Sequence, residues 1–185
     1  MDATTLARCT NARLDRAQRF AEPLTAAMAE FGIGKPSRQT MFLANIGHES
    51  GGLHYTVELW GPTEQQRRYE GRKDLGNTQP GDGFRYRGRG LIQTTGRCSY
   101  AALKEPLGVD YVADPERFGN TVDACRSACY FWMAHNLSAV ADTGDFDGVC
   151  DLINRGRKTA AVGDSNGYAE RFAFWKAAKA ALGVA

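Results

Sequence analysis

The chain has 185 residues, 43% of them apolar and 24% charged, with a formal net charge of +2. That length suits one domain with its own core, 1–185, and the composition is that of a globular protein rather than a disordered one. A charge so close to neutrality excludes a strongly basic nucleic-acid binder. No run approaches 18 consecutive apolar residues, which excludes insertion into a membrane as a helix.

The first third reads helical. Residues 12–31 carry apolar positions at Leu14, Ala17, Phe20, Leu24, Ala27, Met28 and Phe31, with a kink or break expected at Pro23. Gly32 and Gly34 close that segment, and Ser37 is a fair N-cap for a second helix over roughly 38–50. Phe42, Leu43 and Ile46 make its apolar stripe. Glu49 falls in register with that stripe, and Gly51-Gly52 ends the helix. From 59 to 90 periodicity fails: turn residues and charge dominate, with one short helix expected around 63–70. An irregular excursion of this length inside a compact domain is usually functional. Helical patterns resume at 98–104, 121–135, 145–153 and 167–182, so the chain is mainly α with a polar, Gly-rich middle.

Two carboxylates stand out. Glycoside hydrolysis usually uses one carboxyl group that is protonated and one that is ionised, with their environments holding the two apart. Glu49 is expected to keep a proton, because it lies on an apolar face and near the negative end of its helix dipole. Glu58, nine residues on in a polar irregular segment, is expected to be ionised. Downstream, YRGRGLIQTTG at 86–96 combines Gly88 and Gly90, which allow close backbone approach, with Gln93, Thr94 and Thr95, which can read N-acetyl and hydroxyl groups and position a water.

Other features point to plainer roles. Arg67, Arg68, Arg72, Lys73, Arg85, Arg87 and Arg89 form a local basic rim that could steer an anionic polymer or simply form ion pairs. Cys125 and Cys129, four apart and near His135, suggest zinc only weakly, and buried free thiols are the preferred reading. Five cysteines without a CxxC pair argue against a secreted disulfide framework. The N-terminus lacks a basic region followed by an apolar core, so no secretory signal is expected and synthesis in a cytoplasm is.

HESGGLHYTVE (48–58) followed by GDGFRYRGRGLIQTTG (81–96) resembles glycoside hydrolase family 19, the chitinase family, in the form carried by bacteriophage endolysins. The similarity continues through SACYFWM (127–133), DLINRG (151–156) and YAERFAFW (168–175). It implies a mainly α, lysozyme-like, two-lobed fold with a cleft between the lobes and no metal or organic cofactor. By the same resemblance Glu49 is the general acid and Glu58 the general base of an inverting reaction, and Thr95 helps hold the nucleophilic water. Gln93 and Asn154 match substrate contacts, with Tyr86 and Arg171 as companions in the cleft. Ser99 departs from the Asn that many relatives carry there. The expected partner is the glycan strand of peptidoglycan, met by a monomer, with no nucleic acid involved. The expected setting is the cytoplasm of a host bacterium before lysis and its cell wall afterwards, with a chitinase or a lytic transglycosylase as the alternatives.

Overall fold

A computed structural model describes residues 1–185. Eleven α-helices follow one another: α1 (Ala3–Thr10), α2 (Leu14–Glu30), α3 (Pro36–Glu49), α4 (Glu64–Arg67), α5 (Asp82–Arg85), α6 (Arg97–Ala102), α7 (Lys104–Leu107), α8 (Thr121–Ala134), α9 (Leu137–Asp142), α10 (Phe146–Arg155) and α11 (Tyr168–Leu182). Strands are replaced by two isolated antiparallel bridges, Val57 with Arg89 and Arg89 with Thr94. This is the mainly helical, lysozyme-like architecture expected from the sequence.

α3 organises the molecule. Every residue from Thr40 to Gly47 is buried, because α1, α9, α10 and α11 all pack against this helix. It is therefore a central helix rather than one with a single apolar stripe, and a helix apolar all round belongs inside. It starts two residues earlier than expected: Pro36 occupies the first turn, where its fixed φ and missing N–H cost nothing, and Lys35 rather than Ser37 is the N-cap. Past Thr40, burial in α3 relaxes at His48 and Glu49, which brings the carboxylate to the edge of the core.

The expected break at Pro23 does not occur: α2 runs through it. The carbonyl that Pro23 leaves without its helical donor belongs to exposed Arg19, where water can serve it. Four helices escaped the periodicity, α1, α5, α7 and α9, all too short for an apolar repeat to stand out. α1 is begun by Asp2, which accepts from the Thr5 N–H at 2.8 Å and the Thr5 hydroxyl at 2.9 Å.

Gly47 is where α1 meets α3. A Cβ there would lie 2.7 Å from the Thr10 carbonyl oxygen and 2.9 Å from its Cα. Backbone cannot swing aside as a side chain can. Gly47→Ala is therefore expected to destabilise the protein by about 1–3 kcal/mol, despite the roughly 1 kcal/mol that Ala gains as a helix former. A thermal midpoint equal to or above the parent's would show that α1 shifts freely.

Two apolar cores divide the chain. The larger joins α1, α2, α3 and α8 to α11 and includes Cys9, Cys125, Cys129 and Cys150 as free thiols. Desolvation pushes the Cys9 thiol up to about 11 and the Cys150 thiol up to about 12. The smaller core is Tyr86, Tyr100, Leu103, Leu107, Tyr111 and Phe118. Asp123 at the start of α8 ties it down by accepting from the Tyr111 hydroxyl at 2.8 Å and the Arg117 guanidinium at 3.0 Å. The excursion between the cores holds α4, α5 and a 3-10 turn at Lys73–Leu75. Buried Asp82 anchors it. The Arg97 guanidinium bonds both its oxygens and holds this carboxyl below the usual carboxylate range.

Candidate active site

Glu49 is the last residue of α3, and its side chain keeps 23% of its accessible surface. One carboxylate oxygen, Oε1, accepts from Nη2 of Arg171, a residue of α11 that is fully buried. The other donors of that guanidinium are also engaged: Nη1 with Asn45 Oδ1 at 2.8 Å and Nε with the Asn166 carbonyl at 2.9 Å. To the apolar face and helix end that the sequence shows for Glu49, the structure adds a cation at its back. The expectation for Arg171 is corrected. Expected to touch substrate, it is enclosed in the core and acts on Glu49. Asn45, one helical turn before Glu49, completes the clamp. It went unnoticed in the sequence, although a lone amide inside an apolar stripe, four residues from the candidate acid, was a usable signal.

Asn154 lies exposed on α10, and its Oδ1 accepts from the Asn166 N–H at 3.0 Å. The segment that holds Arg171 through Asn166 is therefore also held by Asn154. His48, beside Glu49, is bound through Nδ1 to Glu170 Oε2 at 2.5 Å.

Glu58 is built differently. Its neighbours in the structure are all donors: Gly88 N–H to Oε2 at 2.9 Å, and Gln66 Nε2 at 2.9 Å and the Tyr69 hydroxyl at 3.4 Å to Oε1. Burial and the neighbouring Glu58 carboxylate push the Tyr69 phenol up, so it stays protonated and donating. Gln66 cannot turn its amide over, because its Oε1 already accepts from the Thr63 and Gly61 N–H groups at 2.9 and 3.1 Å. Gln66 and Tyr69 come from α4 and the turn after it, and nothing in their sequence spacing relative to Glu58 announced them.

Three short segments are stitched together here. Glu58 N–H donates to the Gly88 carbonyl at 2.8 Å, Gly90 N–H to Thr56 at 2.9 Å, and Arg89 and Thr94 exchange backbone bonds of 3.0 and 2.8 Å. Arg89 pins this junction from inside: it is fully buried, with Nη1 on the Arg85 carbonyl and the Tyr100 hydroxyl and Nη2 on Glu116. Gly88 leaves room for the approach, since a Cβ there would meet Gln93 Oε1 at 2.9 Å and Glu58 Oε2 at 3.3 Å. Gln93 itself takes a left-handed conformation, φ +53°, and donates through Nε2 to the Gly90 carbonyl at 3.0 Å. Such backbone in a residue other than glycine costs roughly 1–2 kcal/mol and commonly marks functional positions. Thr95 follows, its hydroxyl donating to the Gln93 carbonyl at 3.0 Å, which leaves its lone pairs free to accept. The structure thus brings Glu58, Gln93 and Thr95 to one junction.

Tyr86 is placed elsewhere. Only 1% exposed, it packs edge-on against Tyr100 and donates its hydroxyl to the Val112 carbonyl at 3.3 Å, so it builds the smaller core instead of meeting substrate. Much of the basic rim is paired, Arg68 with Glu64, Arg72 with Asp74 and Arg89 with Glu116. Cys125 and Cys129 are buried among apolar groups that push both thiols up, while His135 is exposed and stacked on Phe131.

No protein-family model matches the chain. A protein of Haemophilus influenzae described as glycosyl hydrolase family 19 domain-containing is 31% identical over 163 residues, spanning 73% of this chain and 79% of that protein. The chain belongs to glycoside hydrolase family 19. An endochitinase of Arabidopsis thaliana is 36% identical over 138 residues, which cover 70% of the chain but only 48% of the plant protein. The fold matches that of chitinase C of Streptomyces griseus, with a TM-score of 0.72 at 21% identity covering 100% of this chain and 76% of that one. A class IV family 19 chitinase of Zea mays gives a TM-score of 0.71 at 22% identity, covering 100% and 93%. As a family 19 member the protein is a glycoside hydrolase.

Proposed function

We propose that the protein is an endolysin-type glycosidase that hydrolyses the β-1,4 bond between N-acetylmuramic acid and N-acetylglucosamine in peptidoglycan, with inversion at the anomeric carbon. The observation that carries the catalytic half is the contrast between the two carboxylates, one backed by a buried guanidinium and one hydrogen-bonded by neutral donors at the junction it shares with Gln93. Glu49 protonates the leaving oxygen through Oε2, the oxygen that Arg171 does not hold. As the proton departs, negative charge grows on Glu49, and Arg171 stabilises it there without reorganising. Glu58 accepts a proton from a water whose second O–H is taken by Thr95, so a lone pair of that water faces the sugar. Gln93 and Asn154 contact the glycan.

The wall as substrate is supported by the endolysin-like motifs and by the cysteines. Four thiols lie buried in the large core without a disulfide, an arrangement suited to folding in a reducing compartment. In this reading the monomer accumulates in the host cytoplasm and reaches the wall once another protein has opened the inner membrane. The names of its relatives favour a second reading, hydrolysis of chitin. Side-by-side rates on purified peptidoglycan and on colloidal chitin separate the two. A clearly higher kcat/KM on peptidoglycan is expected, together with clearing of outer-membrane-permeabilised cells. Release of sugar from chitin alone would assign the second reading.

A further inference from the structure

Glu49 and Arg171 meet where two helices end. Glu49 is the last residue of α3, and Arg171 lies one turn into α11. Terminal turns lack part of the backbone ladder and fray, so a single ion pair there fixes a distance but not the rotation of either helix. A second pair sits beside the first and steps with it. His48 precedes Glu49 on α3, Glu170 precedes Arg171 on α11, and Nδ1 of His48 lies 2.5 Å from Glu170 Oε2. A carboxylate only accepts, so Nδ1 carries the hydrogen. The rest of the imidazole is engaged as well. Its side chain is only 16% exposed and lies against Gly167, which opens α11 in a left-handed conformation, φ +69°. A Cβ at Gly167 would stand 2.0 Å from the ring's Cε1 and 2.5 Å from Nε2. The Gly167 carbonyl accepts the Arg171 N–H at 3.0 Å, and the Asn166 carbonyl accepts from Arg171 Nε at 2.9 Å. The ring therefore supports the backbone on which Arg171 is mounted and bonds the side chain next to it.

We infer that His48 and Glu170 form a latch that aligns Arg171 on Glu49, with His48 a positioning residue that acts through the guanidinium and does not meet substrate. The inference rests on the reading of Glu49 as the acid. Stabilising charge on Glu49 without reorganisation needs a guanidinium that is already in place, and a misplacement of about 1 Å in such a site can cost on the order of 100-fold in rate. Two pairs, one residue apart on both helices, set the rotation of α11 as well as its separation from α3. Glu170 is 55% exposed, so its bond to His48 adds little to stability; what it fixes is alignment.

Three variants test the latch. Glu170→Ala removes the acceptor at an exposed position, Glu170→Gln keeps an oxygen for the Nδ1–H, and His48→Asn keeps a donor but not the ring edge against Gly167. kcat and KM are measured on whichever of peptidoglycan or chitin oligomers the parent cleaves, with thermal midpoints to establish folding. Glu170→Ala and His48→Asn are each expected to lower kcat about tenfold with KM little changed, and Glu170→Gln to keep most of the rate. In an Arg171→Met background Glu170→Ala should lower kcat little further, because the latch works through that side chain. Parental kcat in both Glu170→Ala and His48→Asn would overturn the latch while leaving Glu49 as the acid. So would a rise in KM alone, a Glu170→Gln protein as slow as Glu170→Ala, or tenfold losses that persist without Arg171. A folded Glu49→Gln protein at parental rate would instead defeat the acid reading, and the latch with it.

Discussion

Glu49→Gln is expected to lower hydrolysis by about 100- to 10,000-fold, the usual worth of a general acid, with binding of glycan little changed. Gln keeps the length and shape of the side chain but has no proton of suitable acidity for a leaving alkoxide. The same substitution is expected to cost stability. Arg171 is fully buried, and Glu49 is the carboxylate bonded to it. At a pH where Glu49 is ionised in the free enzyme, replacing it with a neutral amide leaves a buried guanidinium with only amide and carbonyl acceptors. Removing one member of a buried pair costs about 3–5 kcal/mol; here Gln still accepts one bond and Glu49 is partly exposed, so about 1–3 kcal/mol is expected. Thermal unfolding checks the loss, and rates should be compared well below the midpoint. Arg171 acts through Glu49, so Arg171→Met should reduce kcat sharply in the parent but little further in the Glu49→Gln background, the non-additivity of groups that work as a unit. A folded Glu49→Gln protein retaining more than about a tenth of parental activity would remove Glu49 from the role of acid.

Glu58→Gln is expected to reduce kcat by a similar factor, about 100- to 10,000-fold, with KM changed little, because a base contributes mainly in the transition state. Gln has one oxygen where Glu58 uses two, so either Gly88 N–H or Gln66 Nε2 will face an amide NH₂. Gln66 is locked by the Thr63 and Gly61 N–H groups and cannot turn to relieve the mismatch. A stability loss of roughly 1–2 kcal/mol should accompany the loss of rate. The product decides the mechanism. With a water held between Glu58 and Thr95, the two carboxyl groups should stand about 6.5–9.5 Å apart, as in inverting enzymes, and the new reducing end should appear as the α-anomer in early NMR spectra of a soluble oligomer. A β-anomer would keep hydrolysis but remove the inverting role from Glu58. Anhydro-muramic ends, lighter by one water in mass spectra, would mean that the sugar's own 6-hydroxyl attacks and no water is used.

How legible all this was in the sequence depended on distance along the chain. Helices long enough to repeat their apolar face at 3.6-residue spacing, α2, α3, α8, α10 and α11, were readable because burial of one face is written locally. α1, α5, α7 and α9 were not, and Pro23 misled, because propensity says nothing about whether neighbouring helices hold a proline in place. The two glutamates and the Gln-Thr-Thr block were visible as residue types at a recognisable spacing. Their surroundings were not. Arg171 lies 122 residues from Glu49, and Asn45 faces it only because α11 packs along α3. Tyr86 looked like a ligand contact beside the glycines, yet the smaller core claims it. The sequence by itself determined a mainly helical domain and the chemical groups able to cut a glycosidic bond. Only the tertiary structure decided that Glu49 has a buried cation behind it and Glu58 three donors around it, since electrostatic setting depends on which side chains packing brings within a few ångströms.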